Sequence, residues 1–137
     1  MKKFLLGCEW TGVDTDATEK WYASAEGWSC KCGHCRNFLK LASNRGLPQY
    51  IVRILNELKI PPEKPTYVSE LYTDREGVHY HFSYRIAGQI LGVVPAEQGA
   101  NQTNIQCWQD PYPYGAPNFP EPHFDLAFFV VLPWVLE

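Results

Sequence analysis

The stretch Val78-His79-Tyr80-His81-Phe82-Ser83-Tyr84-Arg85-Ile86 decides the fold. Val78, Tyr80, Phe82, Tyr84 and Ile86 would form one large apolar face, and His79, His81, Ser83 and Arg85 a polar, solvent-facing one. Period two predicts a strand, because successive side chains of extended chain point to opposite faces. Thr66–Thr73 has the same period, and Asp74-Arg75-Glu76-Gly77 reads as a turn. Together they predict an antiparallel hairpin with a four-residue loop and a long second strand, Val78–Leu91.

Upstream of the hairpin the period is helical. Cys35, Phe38, Leu39 and Ala42 form one stripe, ended by Asn44-Arg45-Gly46. Ile51, Ile54, Leu55 and Leu58 form a second, which Pro48 opens as a first helical residue and Pro61-Pro62 stop. The spacing predicts helices over 35–44 and 48–59. Phe4, Leu6, Cys8 and Trp10 alternate as a first strand with Cys8 facing inward, and a second strand is expected within Lys20–Trp28. Between them Thr11–Asp16 reads as a polar link. Its two aspartates lack the remaining ligands of a calcium loop.

Downstream, 95–104 is polar and reads as flexible, and 105–109 as a short strand holding Cys107 and Trp108. The run from Asp110 to Pro122 carries five prolines. Proline supplies no ladder donor, so this is an extended arm, suited either to contact with a partner or to folding over the sheet. Phe124–Leu132 is apolar on both faces, as a covered central strand would be. The fold class is therefore α+β: one domain over 1–137, a mostly antiparallel sheet with two consecutive helices packed on one face.

Composition narrows the function. Hydrophobic residues make up 45% of the 137, so the chain can bury a core. A net charge of −3 without long runs of one sign gives no reason to expect nucleic acid. Only Phe4-Leu5-Leu6 is apolar near the N-terminus, against the roughly 7–15 residues of a signal core. No stretch approaches membrane-spanning length. Five cysteines, three of them crowded, do not resemble a secreted disulfide framework. The expectation is a cytoplasmic protein whose partner is another protein or a small ligand, not a membrane.

The candidate chemistry begins at Ser29-Cys30-Lys31-Cys32-Gly33-His34-Cys35-Arg36-Asn37-Phe38. A turn running into a helix N-terminus offers backbone N–H groups and the positive helix end, which favour thiolates. Cys30, Cys32 and Cys35 can fill three positions of a tetrahedral zinc site, with Cys107, Cys8, His34 or His123 as the fourth. The alternatives are three packing cysteines or a redox pair. A second constellation is His79 and His81, which share a strand face with Arg85. They would need a third metal ligand from His123, Asp125 or Glu70.

Two resemblances attach to the cysteine turn. Cys32-Gly33-His34-Cys35 resembles the active-site tetrapeptide of protein disulfide isomerases in the thioredoxin superfamily. That likeness implies Cys32 as attacking thiol and Cys35 as resolving thiol. After its helix that family places a strand and a proline loop, where this chain has a second helix ending at Pro61-Pro62. Over most of the chain, Cys-x-Cys-x-x-Cys-Arg-Asn-Phe, Leu47-Pro48, Leu58–Pro65 and Leu132-Pro133-Trp134-Val135-Leu136 together resemble a group of small uncharacterised bacterial proteins. That resemblance implies a single intact domain and supplies no function.

No hydrolase elbow, phosphate-binding loop or dinucleotide fingerprint is present. The sequence therefore reads as a binding or accessory protein rather than an enzyme, with a cysteine turn that can hold a structural metal. The alternatives are a thiol–disulfide oxidoreductase using Cys32 and Cys35 and a metal-dependent enzyme using His79 and His81.

Overall fold

A computed structural model describes residues 1–93, 104–109 and 112–137. All but the last residue of the polar stretch 95–104 lies outside them, as do residues 110 and 111 of the arm. In chain order the elements are β1 (Lys2–Leu6), β2 (Glu9–Val13), α1 (Thr15–Ser24), α2 (Gly33–Ser43), α3 (Gln49–Leu58), β3 (Tyr67–Asp74), β4 (Gly77–Val93), β5 (Ile105–Trp108) and β6 (His123–Leu132). The six strands form one antiparallel sheet in the order β1-β2-β4-β6-β5, with β3 also on β4. The α+β class and the mostly antiparallel sheet are those the sequence predicts.

β4 is the strand on which the sheet is built. One edge pairs with β6 from Val78↔Leu132 to Ala87↔His123. The other is divided, with β3 pairing residues 77–83 and β2 pairing 88–93. α1 fills the gap between them. There the Asp14 N–H donates to the Ala87 carbonyl at 2.8 Å, Thr18 Oγ1 accepts from the Ala87 N–H at 3.1 Å, and the Tyr22 hydroxyl donates to the Arg85 carbonyl at 2.8 Å. The ladder groups left free between the two strands are thus satisfied by a helix.

Tyr80, Phe82, Tyr84 and Ile86 face the helices and are wholly buried, beside Phe124, Leu126 and Phe128 of β6. Phe38 of α2 lies 4.6 Å from the Phe82 ring, and α3 adds Ile51, Leu55 and Leu58. Each such side chain contributes about 1.5–3 kcal/mol on leaving water. The sheet curls round this core until β1 meets β5, where the Cys107 thiol lies 3.9 Å from the Leu6 carbonyl.

Several local expectations are corrected. The strand expected within Lys20–Trp28 is a helix through Ser24: Asp14 Oδ1 accepts the Ala17 N–H at 3.0 Å as an N-cap, and Thr18 and Tyr22, four residues apart, turn inward together. Capping and burial override the strand preference of Trp21 and Tyr22. The single first strand is a hairpin, because Gly7, at φ +64°, turns the chain between paired Leu6 and Glu9. The link expected at Thr11–Asp16 thereby becomes β2 and a helix cap. The β3–β4 loop is two residues, Arg75-Glu76, not four. α2 starts at Gly33 because Cys32 caps it, and Pro48 stands at the N-cap of α3 rather than inside the helix. No described helix is long and apolar enough to cross a membrane.

Candidate functional site

The cysteine turn sits where the extended segment after α1 meets α2. Cys32 is the N-cap, and its Sγ accepts the Cys35 N–H at 3.5 Å. The Sγ atoms of Cys30, Cys32 and Cys35 all lie within 4.8 Å of one another. Three thiolates bound to one tetrahedral zinc at about 2.3 Å would stand about 3.8 Å apart. The triad is thus within a side-chain adjustment of coordinating geometry. All five cysteines are free.

The three sulfurs differ sharply. Cys30 and Cys32 are exposed and Cys35 is buried. The Cys35 N–H, together with the Cys35 side chain, holds the Cys32 thiol below its usual range. Burial pushes the Cys35 thiol up to about 12, although the Trp28 indole N–H donates to its Sγ at 3.1 Å. Trp28 is in turn held edge-on to Tyr67 of β3.

The turn is also tied to the end of the chain. Asn37 donates from Nδ2 to the Pro133 carbonyl at 3.1 Å, and its Oδ1 accepts the Val135 N–H at 2.7 Å. The Tyr80 hydroxyl donates to the His34 carbonyl at 2.6 Å. The Cys-Arg-Asn-Phe and Pro-Trp-Val segments, distant in sequence, meet here through a wholly buried asparagine.

None of the four residues considered as a fourth ligand joins the three sulfurs. The ring of His34 stands edge-on to Trp134 at 5.7 Å. His123 Nδ1 lies 3.1 Å from the Pro120 carbonyl. Cys107 is buried on β5 near Cys8, which sits in the β1–β2 turn, and burial pushes the Cys107 thiol up to about 12.

The polar face of β4 is not a solvent-facing surface, as its composition suggests. Arg85, Asp125, Ser83 and His81 are all buried. Arg85 Nε donates to Asp125 Oδ1 at 3.0 Å across the β4–β6 pair. Tyr112 of the arm closes over both, its carbonyl accepting from Arg85 Nη2 and its N–H donating to Asp125 Oδ2 at 3.4 Å. The arm thus folds over the sheet, with Ala116 and Phe119 buried. Burial pushes the Asp125 carboxyl above its usual range, and Arg85 draws it partly back.

His81 lies flat against Phe129, ring centroids 4.6 Å apart, with Tyr67 and Trp108 around it. His79 instead turns to Asp74, Nε2 to Oδ2 3.1 Å, and stacks on Tyr72. Among the described residues neither imidazole groups with His123, Asp125 or Glu70; His79 groups with Asp74 and Glu76 at the exposed hairpin end.

Burial lowers the His81 pKa below its ordinary 6.5. A base depressed in the folded state binds its proton first in the unfolded chain. Its contribution to stability is therefore complete above that ordinary value and is lost as the pH falls toward the folded one. Urea unfolding between pH 7.5 and 5.5 is expected to show stability falling by up to about 1.4 kcal/mol per pH unit from this residue. In His81→Gln that part of the slope disappears; an unchanged slope would remove His81 as its source.

The structure also contains a cleft that the sequence did not indicate. A half-open cleft of about 550 Å³ lies between the segment after α1, Lys64-Pro65 and the arm, with Trp21, Trp28 and Tyr114 among its walls. This is within the size range of small-ligand sites. Trp21 Nε1 donates to the Pro117 carbonyl at 3.0 Å and fixes the arm as one side. Three separate segments make the cleft, so no local pattern announces it. Compared with protein-family models, with curated proteins and with solved structures, the chain matches none.

Proposed function

We propose that the protein is a zinc-binding accessory module in which Cys30, Cys32 and Cys35 hold one ion and so fix the segment after α1 to the start of α2. The supporting observation is the mutual approach of three sulfurs within 4.8 Å at a helix N-terminus. Thiolates select soft or borderline cations, and zinc suits a compact thiolate set. Binding deprotonates the buried Cys35, and the ion's charge then stabilises the thiolate that burial disfavours. The adjoining cleft is where such a module would hold a small ligand or a peptide.

Protein purified without chelator or affinity histidines is expected to carry about one zinc per chain. Cys30, Cys32 and Cys35 should react with thiol reagents only after chelation. Free zinc at about 100 times its dissociation constant should raise stability by about 2.7 kcal/mol, and Cys32→Ser should remove most of that gain. No zinc, with all three thiols reacting at once, would overturn the proposal.

A second reading rests on the inequality of Cys32 and Cys35. An exposed thiol of lowered pKa beside a buried one of raised pKa suits thiol–disulfide exchange. In it Cys32 attacks a substrate disulfide and Cys35 then displaces the substrate. The pair ends as a disulfide and the substrate as two thiols. A reversible Cys32–Cys35 disulfide across graded redox buffers supports this reading, and its absence excludes it.

A further inference from the structure

The three-sulfur group has an open side. Structural zinc sites are closed by four protein ligands, whereas sites that exchange ligands keep three and leave one position free. Among the described residues no imidazole, carboxylate or further thiol completes this group. Cys35 and the Trp28 indole N–H form its floor, while Cys30 and Cys32 are exposed. A cation held by the three would thus present its remaining position to solvent.

Charge then selects what fills that position. Zinc with three thiolates carries one net negative charge, and a fourth thiolate makes it two. Exposed Lys31 and Arg36 flank the turn, and Arg36 Nε donates to the Lys31 carbonyl at 3.2 Å, which folds the guanidinium back over the loop. The exposed backbone at the start of α2 adds further positive potential. This surrounding favours an anion over a neutral ligand, and a zinc–thiolate centre favours a soft one.

Resting on the zinc reading above, we infer that the centre binds an external thiolate as its fourth ligand, so that the site is one of capture or exchange rather than a closed structural clip. The protein contributes three sulfurs, one of them anchored by Trp28, and a basic rim. The incoming thiol loses its proton to water and displaces a bound water from the ion; no oxidation occurs.

X-ray absorption on the zinc-loaded full chain tests this directly. Without added thiol the expected shell is three sulfurs at about 2.3 Å and one oxygen or nitrogen at about 2.0–2.1 Å. Adding 2-mercaptoethanol, or separately a peptide with a single cysteine, should replace the light atom by a fourth sulfur. Whichever acts at the lower concentration identifies a small thiol or a protein cysteine as the source. Lys31→Glu combined with Arg36→Glu should raise the thiol concentration required by about tenfold or more while leaving three sulfurs on the zinc.

Four sulfurs before any addition would overturn the inference, since the chain or a second copy would then close the site. A light-atom shell that ignores added thiol would overturn it too, as would a nitrogen lost only in His34→Ala. In each of these cases zinc is still bound and the zinc reading stands. Failure to bind zinc at all would overturn that reading itself.

Discussion

Replacing Arg85 with methionine is expected to cost about 3–5 kcal/mol, the usual penalty for stranding one member of a buried ion pair. The pair is closed on every side that the structure describes: the two side chains are 4% and 2% exposed, and Tyr112 lies over both. Methionine fills most of the volume but, among the described residues, leaves the Asp125 carboxylate only the Tyr112 N–H as hydrogen-bond donor. Denaturant unfolding at neutral pH gives the magnitude. The double variant R85M/D125L, which removes both charges, should recover much of the loss, because the cost lies in the unpaired charge and not in the missing contact.

The sign of the pH dependence follows from Asp125. Burial raises its pKa above the ordinary 3.8, so the folded state holds this proton more firmly than the unfolded chain does. Its contribution to stability is present below the ordinary value and is lost as the pH rises through the folded one. Without Arg85 the strongest pull on that value is lost, leaving the weaker ones of the Tyr112 N–H and His123, and the window widens upward. The deficit of R85M should therefore shrink on going from pH 7.5 to 5. A loss under about 1 kcal/mol at pH 7.5 would mean that water reaches the carboxylate.

A glycine pair within β4 gives the second large effect. Gly88 has φ +149°, and a Cβ there would stand 1.9 Å from the Gly12 carbonyl oxygen. The atoms such a Cβ would meet, the Gly12 carbonyl and Val13 Cα, are all backbone, so no side chain can yield. Forcing an L-residue into that conformation costs about 1–3 kcal/mol and the overlap about as much again. Gly88→Ala should thus lose about 2–6 kcal/mol. Gly92, four residues on, has nothing within 4 Å of its virtual Cβ. Gly92→Ala should change stability by under about 1 kcal/mol, with a gain favoured through the unfolded chain. Similar melting curves for the two variants would contradict the close approach of β2 to β4 at Gly88.

The hairpin that builds the sheet was legible because one face of β4 is uninterruptedly apolar, and only a strand gives Val78 through Ile86 a common side. The burial of the other face was not, because what covers it is an arm of prolines and tyrosines with no period of its own. α1 was hidden by Trp21 and Tyr22, whose strand preference is overridden by the Asp14 cap and by the ladder groups that Thr18 and Tyr22 satisfy. The cysteine triad could be read from spacing alone. The Trp28 donor and the link from Asn37 to Pro133 and Val135 depend on contacts up to 98 residues apart, and local sequence does not encode them.

The pairing of β4 also dictates an order of events while the chain is being made. β2 pairs at once with β1 but must wait for Gly88 before its other edge has a partner, and the opposite edge of β4 stays bare until Leu132 has emerged. Such distant pairings make assembly slow. On the ribosome the hairpin of β3 and β4 would therefore stand half-clad, with Tyr80, Phe82 and Tyr84 covered on one side by α2 and α3 and one ladder edge open. An open edge beside aromatic surface is what attracts misdirected strands and chaperones alike. The ten-residue strand β6 closes that edge, so the vulnerable interval for this protein lasts until Leu132 has emerged.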